Sequence, residues 1–343
     1  MPKSASMNYR TLGRSGMRVS EISLGTMMFG GETSEKDSAR IVDHALEHGV
    51  NFIDTADAYA ERKSEEVVGR AIKVKRRQWV LATKVANLVG PSDMLDRGLS
   101  RRHVIQACDD SLRRLGTDVI DLYYVHRSDQ HTSWESIVET FGGLIRSGKI
   151  REWALSNVRA WQIAHVAHLC DKMNVPRPTA LQPCYNIMNR QPETEVFPAA
   201  MQFGLGCVTY SPIARGILTG KYKNNVAPEA GSRAARKDMR MMQTEWRPES
   251  LDIAAKLVAH AEKRGTTIIR WACAWVLNNR AVTSVIAGPR TFEQWTGYVG
   301  GDAYQWTAED EVLVNSLVAT GHPSTPGYND PAYPIEGRFA VVK

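Results

Sequence analysis

Asp54, Tyr59, Lys84 and His126 stand at the ends of three short apolar runs, NFIDTADAYA, WVLATKV and IDLYYVHRSD. Each run reads as a β-strand that stops at one ionisable side chain, with Tyr59 in the loop beyond Asp54. If these strands are parallel neighbours, the four side chains converge at one end of one sheet. Such a set donates protons without a nucleophilic Ser or Cys and without a metal cluster. It suits protonation of an oxygen in a redox or elimination reaction, not hydrolysis through an acyl-enzyme. A phenol with a pKa near ~10 is a reluctant donor, and a neighbouring ammonium lowers that pKa by stabilising the phenolate. Lys84 is the ammonium, Asp54 holds it and balances its charge, and His126 donates a hydrogen bond to the substrate oxygen. A tyrosine tuned in this way suits hydride transfer to a carbonyl, where an alkoxide forms and must be protonated. The residue types alone leave a second account open: a buried structural Asp54–Lys84 ion pair with Tyr59 and His126 as ordinary rim residues.

The elements that must position these residues follow from periodicity. Runs around Tyr9–Leu12 and Arg18–Ser20 flank GRSG and predict an N-terminal hairpin. Eight apolar runs follow, near Ile22–Leu24, Asn51–Ile53, Trp79–Thr83, Ile120–Val125, Ile150–Leu155, Ala180–Gln182, Cys207–Tyr210 and Thr283–Ile286. Helical periodicity fills the intervals, as in Ser34–His48, Arg102–Leu115, Ser133–Arg146 and Ala160–Met173. Thr33 or Ser34, with Asp37 after it, and Ser100 supply start signals, and Gly49, Gly116 and Gly148 supply left-handed stops. The alternation is unbroken by any linker, which predicts an α/β chain folded as one (β/α)8 TIM barrel over residues 1–343. A doubly wound sheet would show a phosphate loop after its first strand, whereas GTMMFGG follows here and no GxGxxG opens a helix. ARGILTGKY has three residues between its glycines and Tyr222 where a P-loop needs Ser or Thr, so a nucleoside triphosphate site is rejected. Barrel enzymes carry their sites at the C-terminal ends of the strands, where the four residues lie.

The chain has 343 residues, 43% hydrophobic and 23% charged, an ordinary globular composition. No leader-like or membrane-length apolar run is present, and five scattered cysteines form no CxxC pair, so a cytoplasmic protein with reduced thiols is expected. A net charge of +6 suits a small anionic ligand and is too weak for nucleic acid. Two regions fall outside the alternation. The segment between Lys221 and Arg247, after strand seven, has the length and basic composition of a lid or insertion. The tail from Gly321 carries Pro323, Pro326, Pro331 and Pro334, which forbid a helix; it packs as a strap or dangles, and Tyr328, Tyr333 and Phe339 favour packing.

DTADAYA at Asp54–Ala60 resembles the signature of the aldo-keto reductases, and RLGTDVIDLYYVHR at Arg114–Arg127 resembles their histidine-bearing strand. SNV at Ser156–Val158, LQPCYN at Leu181–Asn186 and YSPIARGILTGKY at Tyr210–Tyr222 are similar to that family's cofactor segments. The fragments keep the family's order from the hairpin to about Gln294, and all of them in sequence are far more specific than any one.

The resemblance implies an NADP(H)-dependent reduction of an aldehyde or ketone, reversible in principle. Tyr59 would be the general acid, Lys84 and Asp54 would tune it, and His126 would orient the carbonyl. Ser156, Asn157 and Gln182 would bind the nicotinamide carboxamide, and Tyr210 would stack on its ring. Ser211, Pro212, Ile213, Ala214, Gly216, Leu218, Gly220 and Lys221 would line the pyrophosphate path. Gly25, Thr26 and Met27 would border the cofactor near the reacting carbon, beside Asp54. Ser-Asn after a strand is also an ordinary helix cap, so that pair alone is ambiguous. Gly288, Arg290 and Gln294 would hold the adenosine end, with Arg290 favouring a 2′-phosphate and so NADP over NAD. Gly297 and Tyr298 stand where many members have Glu-Asn facing adenine, a departure that would leave adenine recognition either looser or resting on stacking against Tyr298. Met28, Phe29, Ala60, Asn87, Leu88, His126 and Arg127 would form the substrate pocket, with the tail beside it. Two other classes compete: a nicotinamide-binding regulatory barrel with little turnover, and a barrel hydrolase or metal-dependent aldolase using His165 and His168. The intact four residues speak against the first, and the absence of a grouped third ligand against the second.

Overall fold

The structure, a computed structural model, describes residues 7–91, 94–299 and 304–335. The hairpin forms as expected: β1 (Tyr9–Thr11) pairs antiparallel with β2 (Arg18–Ser20). Gly13 in its turn has φ +53°, and a Cβ there would lie 2.2 Å from the Thr179 carbonyl oxygen, so glycine is required twice over.

The eight predicted runs become β3 (Ile22–Gly25), β4 (Phe52–Asp54), β5 (Val80–Val85), β6 (Ile120–Val125), β7 (Ile150–Ser156), β8 (Ala180–Gln182), β9 (Gly206–Tyr210) and β10 (Val282–Ala287). They pair in parallel in chain order, and β10 returns to β3, closing the barrel. Side chains alternate along a strand, so one parity fills the interior. Phe52, Ala82, Leu122, Tyr124, Ala154, Ala180, Val208 and Ile286 form that cluster, joined by Leu12 and Val19 of the hairpin. The hairpin therefore covers the N-terminal end of the strands, and the C-terminal end is left for chemistry.

The crossovers carry α1 (Glu35–Glu47), α2 (Lys63–Ile72), α3 (Arg101–Leu115), α4 (Trp134–Arg146), α5 (Ala160–Met173) and α6 (Val196–Phe203). Ser34, not Thr33, caps α1 by accepting the Asp37 N–H, and Ser100 caps α3 by accepting from His103. Gly49, Gly116 and Gly148 take the left-handed conformations expected of them. Outward-facing Tyr123 of β6 packs on Phe141 of α4, which stacks on Trp153 of β7 at 5.1 Å. Further along lie α7 (Met239–Gln243), α8 (Pro248–Lys263), α9 (Ile268–Asn278), α10 (Phe292–Tyr298) and α11 (Ala308–Leu317). Among the described residues no helix is long and apolar enough to cross a membrane.

The chain divides into two compact units. The first runs to Cys184 and takes in Glu195–Tyr210 and the stretch from Leu277, so it contains the hairpin and every barrel strand. The second comprises Tyr185–Thr194, Ser211–Val276 and the stretch from Tyr304. Within it the long basic segment is held by ion pairs, Arg215 to Glu245 at 3.0 Å and Arg240 to Asp330 at 2.5 Å. The tail packs within this unit through a series of turns and bends up to residue 335. The Tyr328 hydroxyl donates to the Gln243 carbonyl at 2.8 Å, and the Arg247 guanidinium lies 3.9 Å from the Tyr328 ring centre. Phe339 lies outside the described residues.

Candidate active site

Asp54, Lys84, Ser156, Gln182 and Tyr210 share the inward parity of Phe52, Ala82, Ala154, Ala180 and Val208, at the C-terminal ends of their strands. Period two alone therefore aims them into one space. Lys84 is fully buried, and its ammonium donates to the Asp54 carboxylate, to the Thr55 carbonyl at 2.8 Å and to the Tyr59 hydroxyl at 3.2 Å. The other Asp54 oxygen accepts from Gln182 Nε2 at 2.9 Å. Burial works against the Lys84 ammonium, but Asp54 and the phenol outweigh it and the pKa is raised, so Lys84 is a cation.

Tyr59 opens a 3₁₀ turn that leads into α2, and Ala60, Glu61 and Arg62 follow it at φ 46°, 55° and 77°. Three successive non-glycine residues in the left-handed region cost on the order of 1–3 kcal/mol each, and such strain persists only where the surroundings impose it. The turn holds the phenol half-buried at the end of the Lys84 side chain. Its pKa corrects the sequence expectation. Burial pushes the phenol up, Lys84 pulls it down, and the net shift is upward. Tyr59 is thus firmly protonated at neutral pH.

His126 follows β6, its N–H donating to the Val85 carbonyl at 2.9 Å and its own carbonyl accepting from Asn157 Nδ2 at 2.9 Å. Its ring meets the Tyr59 ring edge-on, with centroids 5.8 Å apart, and Nδ1 lies 3.0 Å from Asn87 Nδ2. Burial, then the Lys84 and Arg127 charges, push its pKa well down, so the imidazole is neutral. Ser156 Oγ donates to the Gln182 carbonyl at 2.8 Å, Asn157 Nδ2 donates to Ser156 Oγ at 2.9 Å, and the Tyr210 hydroxyl donates to Asn157 Oδ1 at 2.8 Å. Asn157 has φ 56° and the cap of α5 is Arg159, so Ser156-Asn157 is not that helix's cap. The Ser156 and Asn157 donors are spent on their neighbours, so what the group offers a carboxamide-bearing aromatic ring is a ring face and acceptor oxygens. A half-buried tyrosine face stands beside a hydroxyl and two amides, and Asn157 Oδ1 retains a second lone pair.

Around this centre Met27 and Arg127 are exposed, and Met28 and Asn87 are half-buried. Phe29, expected in the pocket wall, has no exposed surface and belongs to the core. The chain turns back at Met28, whose carbonyl accepts the Thr33 N–H, and this folds Phe29 inward. Thr26 is also fully buried, its hydroxyl bonded to the Asp54 carbonyl at 3.0 Å and to Ser64. It supports Asp54 from behind. Gly25 is packed so closely that a Cβ would lie 2.5 Å from Ile286 Cγ2.

After β10, Gly288 is exposed and Arg290 half-buried. The Arg290 backbone is held on both sides, its carbonyl by Thr33 Oγ1 and its N–H by Gln294 Oε1, each at 2.8 Å. Its guanidinium stands 3.7 Å from Glu32. The sequence reading missed Glu32 and this second use of Gln294; neither carries a local signal. In the second unit, Ser211–Lys221 forms a tight segment with Ser211, Ala214, Arg215 and Gly216 at positive φ, and Asn186 Nδ2 donates to the Ser211 carbonyl at 2.9 Å. Ser211, Ile213 and Gly220 are half-buried and Lys221 is exposed, whereas Pro212, Ala214, Gly216 and Leu218 are buried.

Comparison with known proteins agrees with this geometry. The family model "Aldo/keto reductase family" matches residues 21–310. "Uncharacterized oxidoreductase YrpG" of Bacillus subtilis (strain 168) is 38% identical over 301 residues, covering 84% of this chain and 89% of the relative. Proteins named "Probable voltage-gated potassium channel subunit beta" are similar as well. The one from Arabidopsis thaliana is 34% identical over 287 residues (82% and 87% coverage), and the one from Oryza sativa subsp. japonica 33% over 287 residues (82% and 87%). The chain belongs to the aldo/keto reductase family, whose members are oxidoreductases acting on small molecules and generally bind NADP(H).

Proposed function

We propose that the chain reduces an aldehyde or ketone to the alcohol with NADPH, with Tyr59 as proton donor, and that the reaction is reversible in principle. One observation carries this reading: the buried Lys84 ammonium uses one N–H on Asp54 and another on the half-buried Tyr59 phenol, beside the neutral His126 ring. A reduced nicotinamide, when bound, supplies the hydride. His126 orients the carbonyl oxygen by donating a hydrogen bond. As the oxygen gains negative charge it takes the Tyr59 proton, a downhill transfer because an alkoxide is a far stronger base than a phenolate. Lys84 stabilises the phenolate left behind, and Asp54 keeps Lys84 charged and in place. Ser156, Asn157 and Gln182 would hold the carboxamide and Tyr210 the ring face. Arg290 would take a 2′-phosphate, and the Ser211–Lys221 segment is proposed for the pyrophosphate on its sequence resemblance.

A reducing, cytoplasmic setting is proposed from the scattered cysteines, none of which stands in a CxxC pair. A second reading, a nicotinamide-binding regulatory subunit with slow turnover, draws on the relatives named as channel subunits. A fluorescence titration with NADPH and NADH, followed by a panel of aldehydes and ketones read at the cofactor absorbance, separates the two. Reduction is expected with NADPH and is expected to fall about 10²–10⁴-fold in Tyr59→Phe with cofactor binding retained. NADPH binding with no turnover of any carbonyl would favour the regulatory reading.

A further inference from the structure

A neutral imidazole has one donor and one acceptor, so a histidine that orients a carbonyl must carry its proton on the nitrogen facing it. For His126 charge does not decide this, because burial and the neighbouring cations keep the ring neutral. The decision falls to its hydrogen-bond partner. Nδ1 lies 3.0 Å from the Asn87 side-chain nitrogen, which donates and cannot accept. With the Asn87 amide in this orientation Nδ1 is the acceptor, which assigns the ring proton to Nε2.

The other charged or titratable groups facing the ring are Lys84 of β5, Arg127 and Tyr59. Lys84 and Arg127 cannot accept the ring proton, and Tyr59 meets the ring edge-on, so none of them competes with Asn87 for Nδ1. The local backbone is built for the contact. Ala86, between Lys84 and Asn87, has φ 139°, and its carbonyl is pinned by the Gly98 N–H at 2.9 Å. This bend brings the residue three after Lys84 back onto His126.

We propose that Asn87 is a positioning residue that fixes His126 as the Nε2–H tautomer and so leaves Nε2–H as the donor toward a substrate oxygen. Its consequence for turnover rests on the carbonyl-reducing reading above; the tautomer itself does not. The test compares the full-length parent, Asn87→Leu and Asn87→Asp, by nitrogen NMR of ¹⁵N-histidine-labelled protein and by pH profiles of kcat/KM for an aldehyde with NADPH.

The parent ring is expected to show one neutral form, protonated on Nε2, across pH 6–8. Asn87→Leu should give a mixture of tautomers and lower kcat/KM about 10- to 100-fold, part of the ~10²–10⁴ that a positioned proton donor contributes. NADPH affinity should stay within about twofold of the parent, since Asn87 acts through His126 and not through the cofactor. In Asn87→Asp the new carboxylate accepts from Nδ1–H and raises the His126 pKa, so kcat/KM gains an ionisation that the parent lacks. A parent ring protonated on Nδ1 would overturn the proposal. So would an Asn87→Leu protein that keeps the pure Nε2–H form and full kcat/KM. A parent that binds NADPH but turns over no carbonyl would count against the proposed function, while the NMR result would still decide the role of Asn87.

Discussion

Thr83 and Lys84 are neighbours on β5 and point to opposite sides of the strand, and each reaches a buried carboxylate paired with a cation. On the inner side Lys84 holds Asp54. On the outer side Thr83 donates to Glu65 at 2.5 Å, and Arg114 donates to the other Glu65 oxygen at 2.7 Å. Both carboxylates are essentially inaccessible, Asp54 at 1% and Glu65 at 0% exposure, so burial does not distinguish the pairs. What differs is where the remaining donors lead. Lys84 turns an N–H to the Tyr59 phenol, which is half-buried in the loop after β4. Arg114 turns to Ser111 Oγ at 3.3 Å, inside its own helix. A buried ion pair is weak evidence for either stability or function. It becomes chemical when one of its hydrogen bonds ends on a group that a substrate can touch.

The sharpest way to break this comparison is to remove each cation in turn. Lys84→Met and Arg114→Met each strand a carboxylate in the interior, and each is expected to cost about 3–5 kcal/mol in urea unfolding. Their kinetics should part. Lys84→Met should lower kcat about 10²–10⁴-fold at saturating NADPH. Arg114→Met should keep kcat per folded molecule within about twofold, since no Arg114 donor reaches the reacting atoms. A large kcat loss in Arg114→Met would mean that the outer pair is coupled to the site.

Asp57 sharpens the outer half of the contrast. It is fully buried, and among the described residues no side chain donates a hydrogen bond to either of its oxygens. Burial, then the Glu65 carboxylate, push its pKa well above the ordinary carboxyl value. The folded state therefore holds the Asp57 proton more tightly than the unfolded chain does. That contribution is complete below about pH 3.9, the unfolded value, and is lost as pH rises toward the raised one. Asp57→Asn is free of this loss. Its stability relative to the parent should improve with pH by up to about 1.4 kcal/mol per unit across that window. Urea melts at pH 5 and pH 8 read the trend. A constant difference between the two pH values would mean that Asp57 is ionised in the fold.

These residues also mark how far the sequence could be read. Ser34, Ser100 and Gly116 were legible because caps are local, and the strands because a parallel buried strand is a short apolar run. Asp54, Lys84 and His126 were legible because a closed parallel barrel aligns strand ends, so three positions far apart in sequence needed only the fold to meet. Phe29 was misjudged since loop residues follow no period, and its direction depends on a turn set by Thr33. The direction of the Tyr59 shift is a balance between burial and Lys84, and burial is a property of packing. The Asp57–Glu65–Arg114 group and the Glu32–Arg290 pair join separate segments by contacts that no local pattern announces.

The smallest effect concerns that last pair, which extends the comparison to the surface. Arg290 and Glu32 are both more than a third exposed, with their closest charged atoms 3.7 Å apart, so their attraction is worth only about 0–1 kcal/mol. Arg290 is nonetheless held in place by its backbone bonds to Thr33 and Gln294, so losing Glu32 should not release it. A 2′-phosphate approaching this guanidinium meets a carboxylate already beside it. Glu32→Gln removes that rival charge and should tighten NADPH by up to about fivefold, the most an interaction of this size can yield. NADH, with no phosphate to place there, should bind as before. The gain should shrink in about 0.5 M salt, where charges at this exposure are screened. Arg290→Leu gives the opposite sign, weakening NADPH and sparing NADH. If Glu32→Gln shifts both cofactors equally, the 2′-phosphate does not sit at Arg290. If it shifts NADPH alone, an ion pair too weak to matter for folding still matters for choosing the cofactor.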